Sequence, residues 1–183
     1  MSRLTIYPDD SAAAQLDTRD GAEIAARLHE IGVRFERWRT RAPLAAGADD
    51  QAVLAAYADD IARLRDMGGY QSVDVVRLLP DNPGAAELRV KFLSEHTHSD
   101  DEVRFFVEGA GQFYLHERDK VHAVLCEAGD LISVPAGIRH WFDMSPRPRF
   151  TAIRLFVTPA GWVADFTGDP IASFFPKYEA QSA

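Results

Sequence analysis

The chain has 183 residues, the size of one ordinary domain. At 46% hydrophobic and 26% charged it has a globular composition, which excludes wholesale disorder and a collagen-like fibre; its one cysteine, Cys126, excludes a disulfide scaffold. Twenty basic against 28 acidic residues leave a net charge of −8. That balance argues against a nucleic-acid partner, because phosphate neutralisation drives such binding.

Residues 1–10 lack the apolar run of a signal peptide, and no stretch approaches the ~20 apolar residues of a membrane helix. A cytoplasmic protein with no membrane partner is expected. Helical periodicity dominates up to residue 70. Ile24, Leu28 and Ile31 form one stripe, stopped by Gly32. Leu54, Tyr57, Ile61 and Leu64 form a second, opened by Asp49-Asp50 and closed by Gly68-Gly69. Between them Val33, Phe35 and Trp38 predict a short strand, while Asp49, Asp50, Asp59 and Asp60 read as a solvated face. Beyond residue 70 the runs are short and rich in β-branched and aromatic residues, predicting strands at 72–79, 88–98, 102–108, 112–116, 121–126, 131–134, 140–144 and 150–158. Turn signals such as Asp81-Asn82-Pro83-Gly84 and Gly109-Ala110-Gly111 separate them. About eight such strands predict an antiparallel sandwich or barrel. With no repeat and no linker, one domain is expected: residues 1–70 a mostly helical cover, 71–158 the barrel and 159–183 a C-terminal extension. Cys126, beside Val124 and Leu125, reads as a core filler.

One constellation carries chemistry. Alternate side chains of a strand share a face and rise about 6.6 Å per two residues, so His96 and His98 aim at one point. Ser99-Asp100-Asp101 reads as a bend, after which Glu102 opens the next strand and turns back toward that point; His140 arrives behind Pro135-Ala136-Gly137. Parity adds Phe92 and Ser94 to the face of His96, Arg104 and Phe106 to that of Glu102, Phe142 to that of His140, and Arg154 from the last strand. Three buried imidazoles, a carboxylate and one or two guanidinium groups are costly unless compensated. A cation would partner the histidines and Glu102, whereas the arginines imply an anionic ligand. Imidazole and carboxylate without thiolate suit Fe(II), Ni(II), Mn(II) or Co(II). His29, His116 and His122 read as ordinary satisfied side chains.

The pattern His96-x-His98-x3-Glu102-x6-Gly109 resembles the first cupin motif, and Gly129-x5-Pro135-x-Gly137-x2-His140 the second, with Met144 where the usual Asn would stand. The resemblance implies a mainly β fold, a cupin-type antiparallel β-barrel (jelly roll) with the N-terminal helices packed on it. A closer likeness lies in Glu95-His96-Thr97-His98 followed by Asp101-Glu102-Val103-Arg104-Phe105-Phe106, and in His140-Trp141-Phe142-Asp143, Gly161-Trp162 and Phe166-Thr167-Gly168. These segments resemble the acireductone dioxygenase family over nearly the whole chain, most weakly at 39–68.

That resemblance implies a dioxygenase of methionine salvage, cleaving the enediol 1,2-dihydroxy-3-keto-5-methylthiopentene with O2. It implies one Fe(II) or Ni(II) per chain, held by His96, His98, Glu102 and His140. Four ligands on an octahedral ion leave two positions for a bidentate enediol. The products would be formate and 4-methylthio-2-oxobutanoate with Fe(II), or formate, carbon monoxide and 3-methylthiopropanoate with Ni(II). Arg104 is the expected catalytic group, stabilising the deprotonated substrate. Arg154, Phe92, Phe142 and Trp162 are expected to bind substrate. Glu95 and Asp101, of opposite parity, suit supporting or metal-loading roles. Another cupin enzyme, such as an isomerase or other oxygenase, or a non-catalytic metal- or sugar-binding cupin, is the alternative; the latter has no need of Arg104. A monomer is expected.

Overall fold

Leu4 and Ile6 alternate with Arg3, Thr5 and Tyr7, and this period of two builds β1 (Arg3–Pro8), a sheet strand inside the region expected to be mostly helical. The computed structural model describes residues 1–40, 48–158 and 163–179. After β2 (Leu16–Thr18) comes α1 (Gly21–His29), whose N-cap Asp20 accepts from the Ala22 and Glu23 amides. The expected short strand is β3 (Arg34–Arg37). The second helical stripe breaks at Tyr57 into α2 (Asp50–Ala56), capped by Asp49, and α3 (Ala58–Gly68), ended by left-handed Gly69.

β4 (Ser72–Leu78) is followed by the principal correction. Residues 88–98 are not a strand: α4 (Ala85–Phe92) takes the first part of that run, and only β5 (His96–Thr97) is extended. Asn82 accepts from the Gly84 amide and turns the chain into Ala85-Ala86-Glu87-Leu88-Arg89, which are strong helix formers. Beyond it run β6 (Glu102–Glu117), β7 (Lys120–Glu127), β8 (Asp130–Val134), β9 (Arg139–Asp143), β10 (Phe150–Phe156) and β11 (Asp165–Phe166).

Two antiparallel sheets share β6. The first has the order β11-β5-β9-β6-β7-β1-β2; in the second, β6 is flanked by β10 and β8, which pair onward with β4 and β3. The expected turn at 109–111 is instead a corner within one strand: β6 pairs with β8 and β10 up to Gly109, and with β7 and β9 beyond it. Gly109 sits at φ 70°, and a Cβ there would land on the Arg149 carbonyl oxygen.

Alternation along β6 sorts three apolar layers. Phe106, Phe113 and Leu115 point between the sheets with Leu4, Val124, Cys126, Phe142 and Phe150; α1 adds Ile24 and Leu28 to this layer. Cys126 is wholly buried there, and burial, then Asp130, raises its thiol well above the usual pKa, as suits a core filler. Val103, Phe105 and Val107 point the other way, under Val53, Tyr57, Ile61 and Leu64 of the helical cover. Tyr114 and Trp141, stacked at 5.1 Å, are covered by Ile171 and Phe175 of the C-terminal segment. Each such side chain fully buried contributes about 1.5–3 kcal/mol. The result is the mainly β, helix-covered antiparallel barrel that the motifs imply.

Candidate metal centre

His96 and His140 lie directly across from one another on β5 and β9, and β9 lies against β6, which begins at Glu102. His98 follows β5 in a loop pinned on two sides: the Gly137 amide donates to the His98 carbonyl at 3.0 Å, and the Ala136 amide to Asp101 at 2.9 Å. The turn before β9 is thereby tied to the loop that carries His98 and Glu102.

Each imidazole is oriented by a backbone carbonyl. Nδ1 of His96 donates to Ser94 at 2.7 Å, that of His98 to Val163 at 3.0 Å and that of His140 to Ile138 at 2.8 Å. A carbonyl only accepts, so the proton sits on Nδ1 and each Nε2 presents a lone pair. The histidine ligand atoms lie within 4.8 Å of one another. Glu102 Oε2 approaches Nε2 of His98 at 3.5 Å and that of His140 at 3.4 Å. Acceptor therefore faces acceptor, and the buried His140 Nε2 has no hydrogen-bond partner among the described residues. A proton or a cation must resolve such an arrangement, and the nitrogen and oxygen donors fit a divalent transition ion.

The electrostatics agree. Burial, then the neighbouring His140, pushes the His96 pKa down to about 4, which keeps it neutral. Burial opposes charge on Glu102, but the Arg104 guanidinium beside it outweighs burial and holds the carboxyl well below its usual range. Burial also opposes charge on His98, yet its contact with Glu102 wins and raises its pKa. In the absence of a cation, Glu102 draws a proton toward His98.

A cavity of about 410 Å³ opens beside these four side chains and is lined also by Phe92, Arg104, Phe142, Arg154 and Phe166. Arg104 is buried; its Nη2 donates to Glu102 Oε1, its guanidinium lies over the Phe113 and Phe142 rings at 4.8 and 4.5 Å, and its Nε has no partner among the described residues. Arg154 also reaches the cavity but is held by a two-pronged bond to Asp74 at 2.9 and 2.7 Å. Phe92 arrives from the end of α4 rather than by strand parity, edge-on to Phe142 at 6.3 Å. Trp162 lies outside the described residues.

Glu95 faces the other side of the sheet. His116 Nδ1 donates to one of its oxygens at 2.7 Å and Thr167 Oγ1 to the other at 2.7 Å, which suits support rather than metal loading. His116, read from sequence as an ordinary side chain, is thus the partner of a buried carboxylate. Asp74 and Val163 escape the sequence reading because they act through pairing and a main-chain carbonyl, which leave no local sequence signal.

The ARD/ARD' family model matches residues 3–164. The chain is similar to the acireductone dioxygenase of Parvibaculum lavamentivorans, at 63% identity over 99% of both chains. It is similar to that of Pseudomonas aeruginosa at 58% identity, over 98% of this chain and 99% of the relative. Among solved structures, an acireductone dioxygenase from Bacillus anthracis with a cadmium ion in its active centre matches with a TM-score of 0.79 at 32% identity, covering 91% of this chain and 98% of that one.

Proposed function

Because this chain belongs to the ARD/ARD' family and is an enzyme of the acireductone dioxygenase kind, we propose that His96, His98, Glu102 and His140 hold one Fe(II) or Ni(II) and that the cavity beside them takes 1,2-dihydroxy-3-keto-5-methylthiopentene for cleavage by O2 in methionine salvage. The observation that carries this reading is the set of three imidazoles with carbonyl-locked Nδ1, converging with Glu102 on the unpartnered His140 Nε2. When bound, the ion would supply Lewis acidity toward the enediolate and a redox partner for its reaction with O2.

The protein's own groups do the rest. Arg104 already neutralises Glu102, and its Nε is a buried donor without an acceptor among the described residues. The guanidinium charge, on the wall of the cavity, favours the deprotonated substrate. Arg104 is buried against the ligand Glu102, whereas Arg154 is held aside by the half-exposed Asp74, so the main electrostatic role falls to Arg104 while Arg154 shapes the wall. Phe92 and Phe142, with Trp162, receive the methylthio tail and exclude water. Asp101 fixes the turn before His140, and Glu95 supports His96 from behind. We read the enzyme as a cytoplasmic monomer acting on a small molecule; no described helix is long and apolar enough to cross a membrane.

The test is anaerobic mixing with the enediol followed by admission of O2. Enzyme loaded with Fe(II) should yield formate and 4-methylthio-2-oxobutanoate; enzyme loaded with Ni(II) should yield formate, carbon monoxide and 3-methylthiopropanoate. Loaded enzyme that leaves the enediol uncleaved in the presence of O2 would sink the substrate assignment.

A further inference from the structure

β11 is only two residues long, yet it carries one side of the centre. Its partners on β5 are Thr97 for Asp165 and His96 for Phe166, the Phe166 ring lies 5.7 Å from that of His96, and Val163 just before it supplies the carbonyl that orients His98. A two-residue ladder specifies its register weakly. A slip by one residue would move the Val163 carbonyl by about 3.4 Å and turn Phe166 away from the cavity. Something else must fix the pairing.

The residue after β11 does so. The Thr167 amide donates to the Glu95 carbonyl at 3.1 Å, and its hydroxyl donates to Glu95 Oε2 at 2.7 Å. The Glu95 side chain is fully buried, and His116, itself 4% exposed, holds its other oxygen. Burying a carboxylate costs several kcal/mol where an apolar side chain would pack as well, so a role in specificity is the natural reason to keep it. Neither Glu95 nor Thr167 lines the cavity with the four ligands.

We propose that Thr167 is a positioning residue for the metal centre: its hydroxyl, seated on Glu95, pins the register of β11 on β5 and so sets where the Val163 carbonyl meets His98. This rests on the ligand assignment proposed above. The hydroxyl acts at a distance, through the strand and the His98 tautomer, and makes no contact with substrate.

Co(II) is the probe, with affinity measured against a competing chelator and the site's geometry read from the visible absorption of the bound ion. Thr167→Val keeps the side-chain shape and removes the donor; Thr167→Ser keeps the donor. Thr167→Val should weaken Co(II) binding about tenfold and change the spectrum, the usual effect of losing a group that orients a ligand. Thr167→Ser should restore both. Thr167→Val should also lower the metal-free melting midpoint, because it leaves an oxygen of the buried Glu95 carboxylate without its donor. The Co(II) spectrum, which a merely structural loss would not move, is therefore the deciding readout. The inference is overturned if Thr167→Val binds Co(II) as the parent does, if Thr167→Ser is as weak as Thr167→Val, or if Thr167→Val loses affinity while the spectrum of its bound Co(II) stays that of the parent. A parent protein without affinity for Co(II) would instead bring down the ligand assignment, and this inference with it.

Discussion

Arg104 does two jobs at once. Its Nη2 occupies Glu102 Oε1, which leaves Oε2 directed at His98 and His140, while its guanidinium lies over Phe113 and Phe142 and contributes its charge to the wall of the cavity. Arg104→Ala should therefore lower turnover by roughly 10²–10³, as loss of one preorganised donor does. It should also weaken metal binding about tenfold, because Glu102 loses the group that orients it. The bound enediol should shift toward its less ionised form, seen by anaerobic titration in the ultraviolet. Arg104→Lys should recover only part of each effect, since an ammonium on a flexible stem cannot bond Glu102 and substrate as a planar fork can. Normal turnover and normal enediolate formation in Arg104→Ala would reduce Arg104 to a structural partner of Glu102. The presence of Arg104 on the face of Glu102 was legible from parity, because both lie in one strand. The pairing of Arg154 with Asp74 was not: the two residues are 80 positions apart and meet only through β4 and β10.

β6 shows how one element decides the architecture. Its first half lines the second sheet with Glu102 and Arg104 facing the cavity, and its second half crosses to the first sheet to lie against β9 and His140. The crossing depends on Gly109, at φ 70° and against the Arg149 carbonyl. Gly109→Ala should destabilise the protein by at least ~2 kcal/mol, because the left-handed conformation alone costs 1–2 kcal/mol and the added methyl group has no room. Urea unfolding would check this, and a loss below 0.5 kcal/mol would show that the corner can relax. Sequence reading split β6 in two because glycines usually mark turns; only the two sheets on either side make this one a bend. The opposite error fell on α4, where Leu88, Val90 and Phe92 resemble strand residues until the alanines before them are counted.

At the scale of the whole molecule, the centre is a cluster of like-featured acceptors buried by a barrel that must close around it. Binding an ion to the folded state alone should stabilise the protein, by about 2.7 kcal/mol at a hundredfold excess over Kd. For a chain of this length that is on the order of 5–10 °C in Tm. Fe(II) or Ni(II) should raise the melting midpoint of metal-free protein, and His140→Ala should abolish the rise. Identical melting curves with metal and with chelator would contradict a preformed interior site. His96, His98, Glu102 and His140, which the structure brings to one cavity, were legible as a group from alternation and from two spaced motifs, although His98 lies in the loop after β5, where alternation does not apply. The barrel class was legible for the same reason, since alternation and turn residues act locally. Helix α4, the continuity of β6, the Asp74 lock on Arg154 and the clamp of His116, Glu95 and Thr167 depended on partners brought together only by folding. A hydrogen bond or a steric wall is set by three-dimensional position, and a linear pattern carries no record of what stands across from it.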